Sequence, residues 1–460
     1  MLKGNNTISG ISHQKQLARP TMKKYYQLAL VIISCVSVVT LLFYRHEYNR
    51  LRYVLEVLNF FGKPGVQNTF TTNDCIFHNS SFQHRKLNFE DPLPTWQRLT
   101  DDHFVYSAFW EVVEGDGRVK AVSVGFSDVV PNFACSLWYE DREGPLVGRF
   151  SFTKLETKDS NINKSKLSGY YLICRGRDVS RIPYGVTFYK TDIVPFKAFI
   201  HVQYSNEIPP LTNTTAICIT APPSPGLSKA TIAEFLSYHQ LVGVTEYIIY
   251  DGGLSNMVLS SLRGPAIRNG LGLSVSILPW NFPFPSHVET VTRLIIEKDC
   301  LSRTAGKVHN VAILSWDEYV VPKYHHLLAS MLDDFDSGRK TTAKFEIPMI
   351  KFCKEFPDDE KAEPASPLVF RKTRYSNVNS NEHPFYFYRP HLISGSRDLG
   401  ALMTQRVSQG IAAVHRYTSC SQDGEVNEKT HLYEPAMLRF SGDLKRSKLL
   451  NAWSSGRLFI

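Results

Sequence analysis

The hydrophobic pattern of the chain changes character three times. Tyr25 to Tyr44 (YYQLALVIISCVSVVTLLFY) carries no charged residue. As a helix rising ~1.5 Å per residue, this run spans about 30 Å, the thickness of a bilayer's hydrocarbon core. Tyrosines stand at both ends, where amphipathic rings favour the headgroup level. The run is long and ends in Phe43-Tyr44-Arg45 rather than in small residues, so residues 25–44 are predicted to be an uncleaved transmembrane signal anchor. The basic residues 1–24 are then a cytoplasmic tail, and everything beyond the anchor is lumenal, a single-pass type II topology. Residues 45–94 read as a stem. Glu47 to Phe61 has apolar residues at helical spacing, and polar, Pro- and Gly-containing sequence follows.

From His103 to Tyr204 the period is two. HFVYSAFWEVV, RVKAVSVGF, FACSLWYE, LVGRFSFTKL, GYYLICRG, YGVTFYK and KAFIHVQYS are short, aromatic and β-branched, with turn-like clusters between some of them. Residues 95–210 are therefore predicted to form a β-rich accessory module, an all-β sandwich. It reads either as a spacer or as a carbohydrate-binding module whose Trp and Tyr rings stack on sugars. From Thr214 strands and helices alternate. Thr215–Thr220, Thr245–Tyr250, Leu273–Leu278 and Asn310–Ser315 are apolar strands. Lys229–Gln240 (N-capped by Ser228 and ended by Gly243), Asn256–Arg268 and Ser286–Leu301 are helices. This repetition predicts an α/β domain with a parallel-rich sheet over residues 211–445, leaving 446–460 as a C-terminal tail.

Charge and motif content narrow the function. The net charge is +9, and Lys3, Lys15, Arg19, Lys23 and Lys24 supply five of it, so the folded part lacks the basic excess of a nucleic-acid binder. No C-x-x-C pair, G-x-G-x-x-G, Walker loop, H-E-x-x-H or G-x-S-x-G is present, which argues against zinc ribbons, dinucleotide oxidoreductases, P-loop enzymes, zinc peptidases and α/β-hydrolases. Beyond the anchor, Cys75, Cys135, Cys174, Cys218, Cys300, Cys353 and Cys420 allow three disulfides and one remaining thiol, with the pairing open. Sequons at Asn79, Asn163 and Asn213 permit a lumenal location.

Ligands of such sheets bind at the carboxyl ends of the strands. Acids fall there at Asp251 and at Asp317-Glu318. Adjacent carboxylates at a buried strand end are costly to leave unpaired, and a divalent cation bridging phosphate oxygens would neutralise them, as Mg²⁺ or Mn²⁺ does on a diphosphate. An ordinary acidic turn is the alternative.

Phe235-Leu-Ser-Tyr-His239, Gly243-Val-Thr-Glu-Tyr-Ile-Ile-Tyr-Asp251, Cys300-Leu301 and Asn310-Val-Ala-Ile-Leu-Ser-Trp-Asp-Glu-Tyr319, behind a type II anchor, a stem and a β-rich module containing Tyr106-Ser-Ala108, resemble glycosyltransferase family 92. The resemblance implies a GT-A fold and metal-dependent, inverting transfer of a sugar, typically galactose, from a UDP-sugar donor to a glycan acceptor at the Golgi membrane. By the same resemblance Asp317 binds the Mn²⁺ or Mg²⁺ on the donor diphosphate with Glu318 beside it, His415 completes the metal site, and Asp251 lies near the ribose or uracil. Arg389-Pro390 would border the acceptor site, and Asp398 is the candidate general base, with Glu382 and Glu425 competing. Two departures stand out. Ser315 occupies a position where the family usually has an acid, and Phe352–Glu360 differs from the family's glycine-containing pattern. The first motivates a rival reading, a membrane-tethered carbohydrate-binding protein with a degenerate transferase domain; a structural or adhesive cell-surface ectodomain is a third.

Overall fold

A computed structural model describes residues 30–40, 94–113, 115–155, 166–176, 181–190, 197–204, 214–221, 227–284, 289–336, 342–363, 366–376, 385–393, 403–420 and 431–456. The chain divides into two compact units, residues 1–82 and 83–460. In the first, residues 30–40 form a helix, α1, whose apolar side chains, Leu30 to Val39 among them, are exposed. The rest of the predicted anchor, the stem up to residue 93, Cys75 and the three sequon asparagines lie outside the described residues. Among the described residues no helix is long and apolar enough to cross a membrane.

The second unit begins with β1 (Gln97–Arg98), β2 (His103–Val113), β3 (Asp116–Phe126), β4 (Ala134–Trp138), β5 (Leu146–Lys154), β6 (Leu167–Arg175), β7 (Gly185–Tyr189) and β8 (Lys197–Gln203). The strands lie where period-two patterning places them, but they do not form a sandwich. They run in the order β1-β2-β3-β6-β5-β4-β7-β8, and β8 returns to pair in parallel with β2 at Ala108↔Val202 and Phe109↔Gln203. The sheet therefore closes into a barrel. Alternation fixes which face of each strand is apolar; it does not fix whether the last strand finds the first. Val105, Ala108, Val119, Ala121, Leu172, Val186, Phe188 and Ile200 fill the interior. A disulfide joins Cys135 on β4 to Cys174 on β6, passing over β5. It crosses at Gly148, where an added Cβ would lie 2.4 Å from the Cys174 sulfur, so the bridge needs a residue without a side chain there.

The chain continues through β9 (Thr215–Ile219), α2 (Lys229–Leu241), β10 (Val244–Asp251), α3 (Asn256–Arg263), β11 (Ser274–Pro279), α4 (Glu289–Thr304), β12 (Asn310–Leu314), β13 (Glu318–Pro322), α5 (Leu328–Phe335), β14 (Thr342–Ile347), β15 (Met349–Cys353), α6 (Leu368–Arg371), β16 (Arg374–Ser376), β17 (Phe385–Tyr388), α7 (Pro390–Ile393), β18 (Met403–Arg406), β19 (Ala412–Thr418), β20 (His431–Tyr433), α8 (Ser441–Lys445) and α9 (Lys448–Ser454). The main sheet has the order β11-β10-β9-β12-β17-β14-β18; its first four strands are parallel and β17 is antiparallel to β12. A smaller sheet, β13-β19-β15, lies beside it. Ser228 caps α2 by accepting the Thr231 N–H, and Gly243 ends it at φ +95°, a conformation that suits glycine. The helix predicted from Asn256 stops at Arg263 rather than Arg268, because Gly264 is extended and Pro265 cannot donate; a short π-helical turn, Ala266–Gly270, follows. The segment read as a C-terminal tail contains α9, whose Leu449 is buried in the core.

Alternation along the central strands builds two cores. Ile217, Ile219, Ile249, Ala312 and Leu314 face α2 and the smaller sheet, whereas Ala216, Cys218, Tyr250, Val311 and Ile313 face α4 and the barrel strands β2 and β3. Cys218 on β9 is bonded to Cys300 on α4, and Cys353 on β15 to Cys420 just past β19. The barrel is welded to the second core. Trp280, in the loop after β11, packs on Trp96 and Tyr106, and Phe284 packs on Phe104 and Phe126. Beneath them Asp299 of α4 is fully buried. It accepts hydrogen bonds from Ser107 of β2, Tyr250 of β10 and, through both oxygens, Arg303, which also donates to Gln203 of β8.

Candidate active site

The carboxyl ends of the parallel strands carry the polar groups that the sequence singles out. At the end of β10, Asp251 Oδ1 accepts the N–H groups of Gly253 (2.9 Å) and Leu254 (2.7 Å), forming an Asx turn. At the ends of the two central strands the hydroxyls of Thr220 and Ser315 are 2.9 Å apart. Ser315 thus fills the place of the expected acid with a neutral group already engaged with a second hydroxyl. β10 and β12 flank β9, so Asp251 and the turn after β12 are separated by two strand spacings, roughly 10 Å.

That turn reverses at once into β13, with the Glu318 N–H donating to the Ser315 carbonyl at 3.0 Å. Trp316 is buried against Phe235 of α2 and anchors the turn from below. Glu318 is turned inward. It is fully buried and takes both guanidinium arms of Arg293 from α4, at 2.8 and 3.0 Å, plus the Ser315 N–H at 2.8 Å. Burial alone would raise its pKa; the Arg293 charge and hydrogen bonds outweigh that and hold the carboxyl below the usual range. Arg293 also donates to the Ile313 carbonyl at 3.0 Å, so the pair holds the end of β12 to α4. Glu318, expected beside the donor, thus takes these partners from inside the protein.

Asp317 is the acid of the pair that keeps contact with solvent, its side chain about one-third exposed at 32%. Burial, and then the Glu318 charge, push its carboxyl up, with Arg416 opposing. Arg416 lies on β19 directly across from Glu318; its Nε is 3.4 Å from Asp317 Oδ2 and its Nη2 3.5 Å from Glu289 Oε1 at the start of α4.

His415 is drawn elsewhere. It pairs across β13 with Tyr319, not Glu318, and neighbouring side chains on a strand point to opposite faces. The imidazole is fully buried, 4.6 Å from the Phe352 ring, and burial pushes its pKa down to about 3. Its Nδ1 reaches only the Tyr417 hydroxyl, at 3.4 Å. Among the described residues, Asp317, Glu318 and His415 do not bring their ligand atoms within 4.8 Å of one another. The group that does, Cys353, Glu355 and Cys420, has two of its sulfurs joined as a disulfide. The donor set expected for Mn²⁺ or Mg²⁺ is therefore reduced to one carboxylate, which faces a guanidinium. Arg389 is also internal. It is buried, paired with Asp336, and lies over the Phe345 ring. Asp398, Glu382 and Glu425 lie outside the described residues.

Sequence reasoning missed Arg293, Arg416 and Glu234. No local pattern announces Arg293, but alternation along Ala412–Thr418 separates His415 from Arg416. Glu234 of α2 is carried up to about 7 by burial, with Arg371 and the Leu368 N–H opposing. Between about pH 4.5 and 7 the unfolded chain releases this proton and the folded chain keeps it, so stability is full below pH 4.5 and falls as pH rises through 7. Glu234→Gln is expected to melt like the parent at pH 4 and to gain about 1–2 kcal/mol at pH 8, after discounting for partial exposure. Thermal melts of both proteins across that range check it, and equal pH profiles would refute it.

Residues 226–395 match the model of Glycosyltransferase family 92, which supports membership of the chain in that family and, with it, glycosyltransferase activity. Asp251, Asp317 and Glu318 fall inside the matched segment; His415 and Arg416 fall beyond it. No curated protein matches. Among solved structures, UDP-glucose pyrophosphorylase complexed with UDP-glucose aligns at 10% identity with a TM-score of 0.22, covering 53% of this chain and 99% of that one.

Proposed function

We propose that this chain is an inverting, GT-A-like glycosyltransferase that moves galactose from UDP-galactose to a glycan acceptor in the secretory pathway. The observation that carries the reading is the family match over residues 226–395. It is supported by parallel strands whose carboxyl ends carry Asp251, the Thr220–Ser315 hydroxyl pair and Asp317 on one edge. In this reading the ribose or uracil lies by Asp251, whose Oδ1 is held by its turn. The acceptor hydroxyl attacks the anomeric carbon opposite the diphosphate. A new C–O bond forms as the bond to the β-phosphate oxygen breaks, the electron pair stays on that oxygen, and the hydroxyl proton passes to a carboxylate.

Asp398 is the proposed base, on sequence position alone. Asp398→Asn is expected to lower kcat by about 10²–10⁴-fold with donor KM little changed, and an unchanged kcat in steady-state assays would remove it from the role. No step is assigned to Mn²⁺ or Mg²⁺, because the residues expected to hold one do not converge.

The exposed apolar helix at residues 30–40 and the uncharged run around it support a type II anchor in the Golgi membrane with residues 45–460 in the lumen. Ser315 and the internal Glu318–Arg293 pair favour one rival, a membrane-tethered glycan-binding protein with a degenerate transferase domain. A screen of UDP-sugars with the purified full-length chain, with and without Mn²⁺, separates the two. Release of UDP from UDP-galactose supports the enzyme; no turnover of any donor leaves the binding protein.

A further inference from the structure

Arg416 is the cation that the site itself provides. It reaches the rim from β19, opposite Glu318, with Lys351 of β15 in register on its other side. Its guanidinium spans Asp317 at 3.4 Å and Glu289 at 3.5 Å, contacts longer than a well-formed charge-assisted hydrogen bond. Arg293, whose charge also acts on Arg416, is committed to Glu318 and the Ile313 carbonyl. Arg416 thus shares two carboxylates at these distances, Glu289 being 57% exposed, while Glu318 is neutralised internally by Arg293. A planar guanidinium matches paired phosphate oxygens.

Resting on the transferase reading, we propose that Arg416 exchanges Asp317 and Glu289 for the diphosphate of the sugar donor and stabilises the departing nucleoside diphosphate in place of a metal ion. As the sugar–oxygen bond breaks, the electron pair left on the β-phosphate adds one negative charge to the diphosphate, and the guanidinium meets it there. Asp317 is then the partner that holds Arg416 when the donor is absent.

The test measures binding of UDP and of uridine to the full-length chain by calorimetry, in chelator and in Mn²⁺, alongside melting temperatures. Arg416→Ala is expected to weaken UDP about 10- to 100-fold and to leave uridine unchanged, and Arg416→Lys to weaken UDP about 5- to 10-fold. Asp317→Asn removes one carboxylate that competes for the guanidinium and is expected to bind UDP as tightly as the parent or more tightly. If Arg416→Ala does not fold, the lysine and Asp317→Asn variants decide. UDP affinity that survives Arg416→Ala, that vanishes from the parent in chelator, or that is lost in Asp317→Asn overturns the proposal. A parent that binds UDP through Arg416 yet turns over no donor overturns the transferase reading alone.

Discussion

Asp299→Ala is expected to cost about 3–5 kcal/mol, because it strands the Arg303 guanidinium in a buried site and removes the acceptor of two hydroxyls. The effect is large because Asp299 is where three parts of the chain meet: β2 through Ser107, β10 through Tyr250, and its own helix through Arg303. Arg303 in turn donates to Gln203 on β8 and lies over the Phe109 ring, so the loss spreads to the seam where the barrel closes. Ser107→Ala, which removes one neutral donor and leaves the ion pair intact, should cost only about 1 kcal/mol. Thermal and urea unfolding of the two variants checks the ranking. Equal melting temperatures for parent and Asp299→Ala would mean that the network contributes nothing.

Glu318→Ala is the second large effect, and it separates two roles for one residue. A carboxylate that holds a ligand can be removed with little loss of stability and a large loss of activity. A carboxylate that neutralises Arg293 cannot, and its loss should cost about 3–5 kcal/mol. The Glu318→Leu/Arg293→Met double variant replaces both charges by apolar groups of similar size and should recover most of the loss, since no unpaired charge remains. Calorimetric melting of the single and double variants is the measurement. A single variant as stable as the parent but inactive would return Glu318 to the ligand site.

Much of the fold was legible because local chemistry and tertiary structure agree. β2 occupies the eleven residues of the alternating segment His103–Val113, and α2 begins after Ser228 and ends before Gly243 as its caps require. Legibility failed where the deciding partner is remote in sequence. Whether the β-rich strands form a sandwich or a ring depends on β8 meeting β2 about ninety residues away. At the site, Asp251 and Asp317 could be placed at strand ends from the pattern alone. The fate of Glu318 could not, because Arg293 approaches from a helix twenty-five positions upstream. The burial of His415 is legible in a different way: alternation along β19 sends its imidazole inward and sets Arg416 on the other face, which residue type alone does not show.

The ring of strands also constrains how this protein can meet anything else. An open sheet offers its rim as a template on which a foreign backbone can add another rung, and a closed one withdraws that offer. In strands β1 to β8 the lateral N–H and C=O groups are largely spent on neighbours within the ring. A visiting polysaccharide or polypeptide must therefore be read by outward-pointing side chains, such as the exposed Val147 on β5, instead of by main-chain zippering. Among the described strands the main sheet, by contrast, is an open one that ends at β11 and β18.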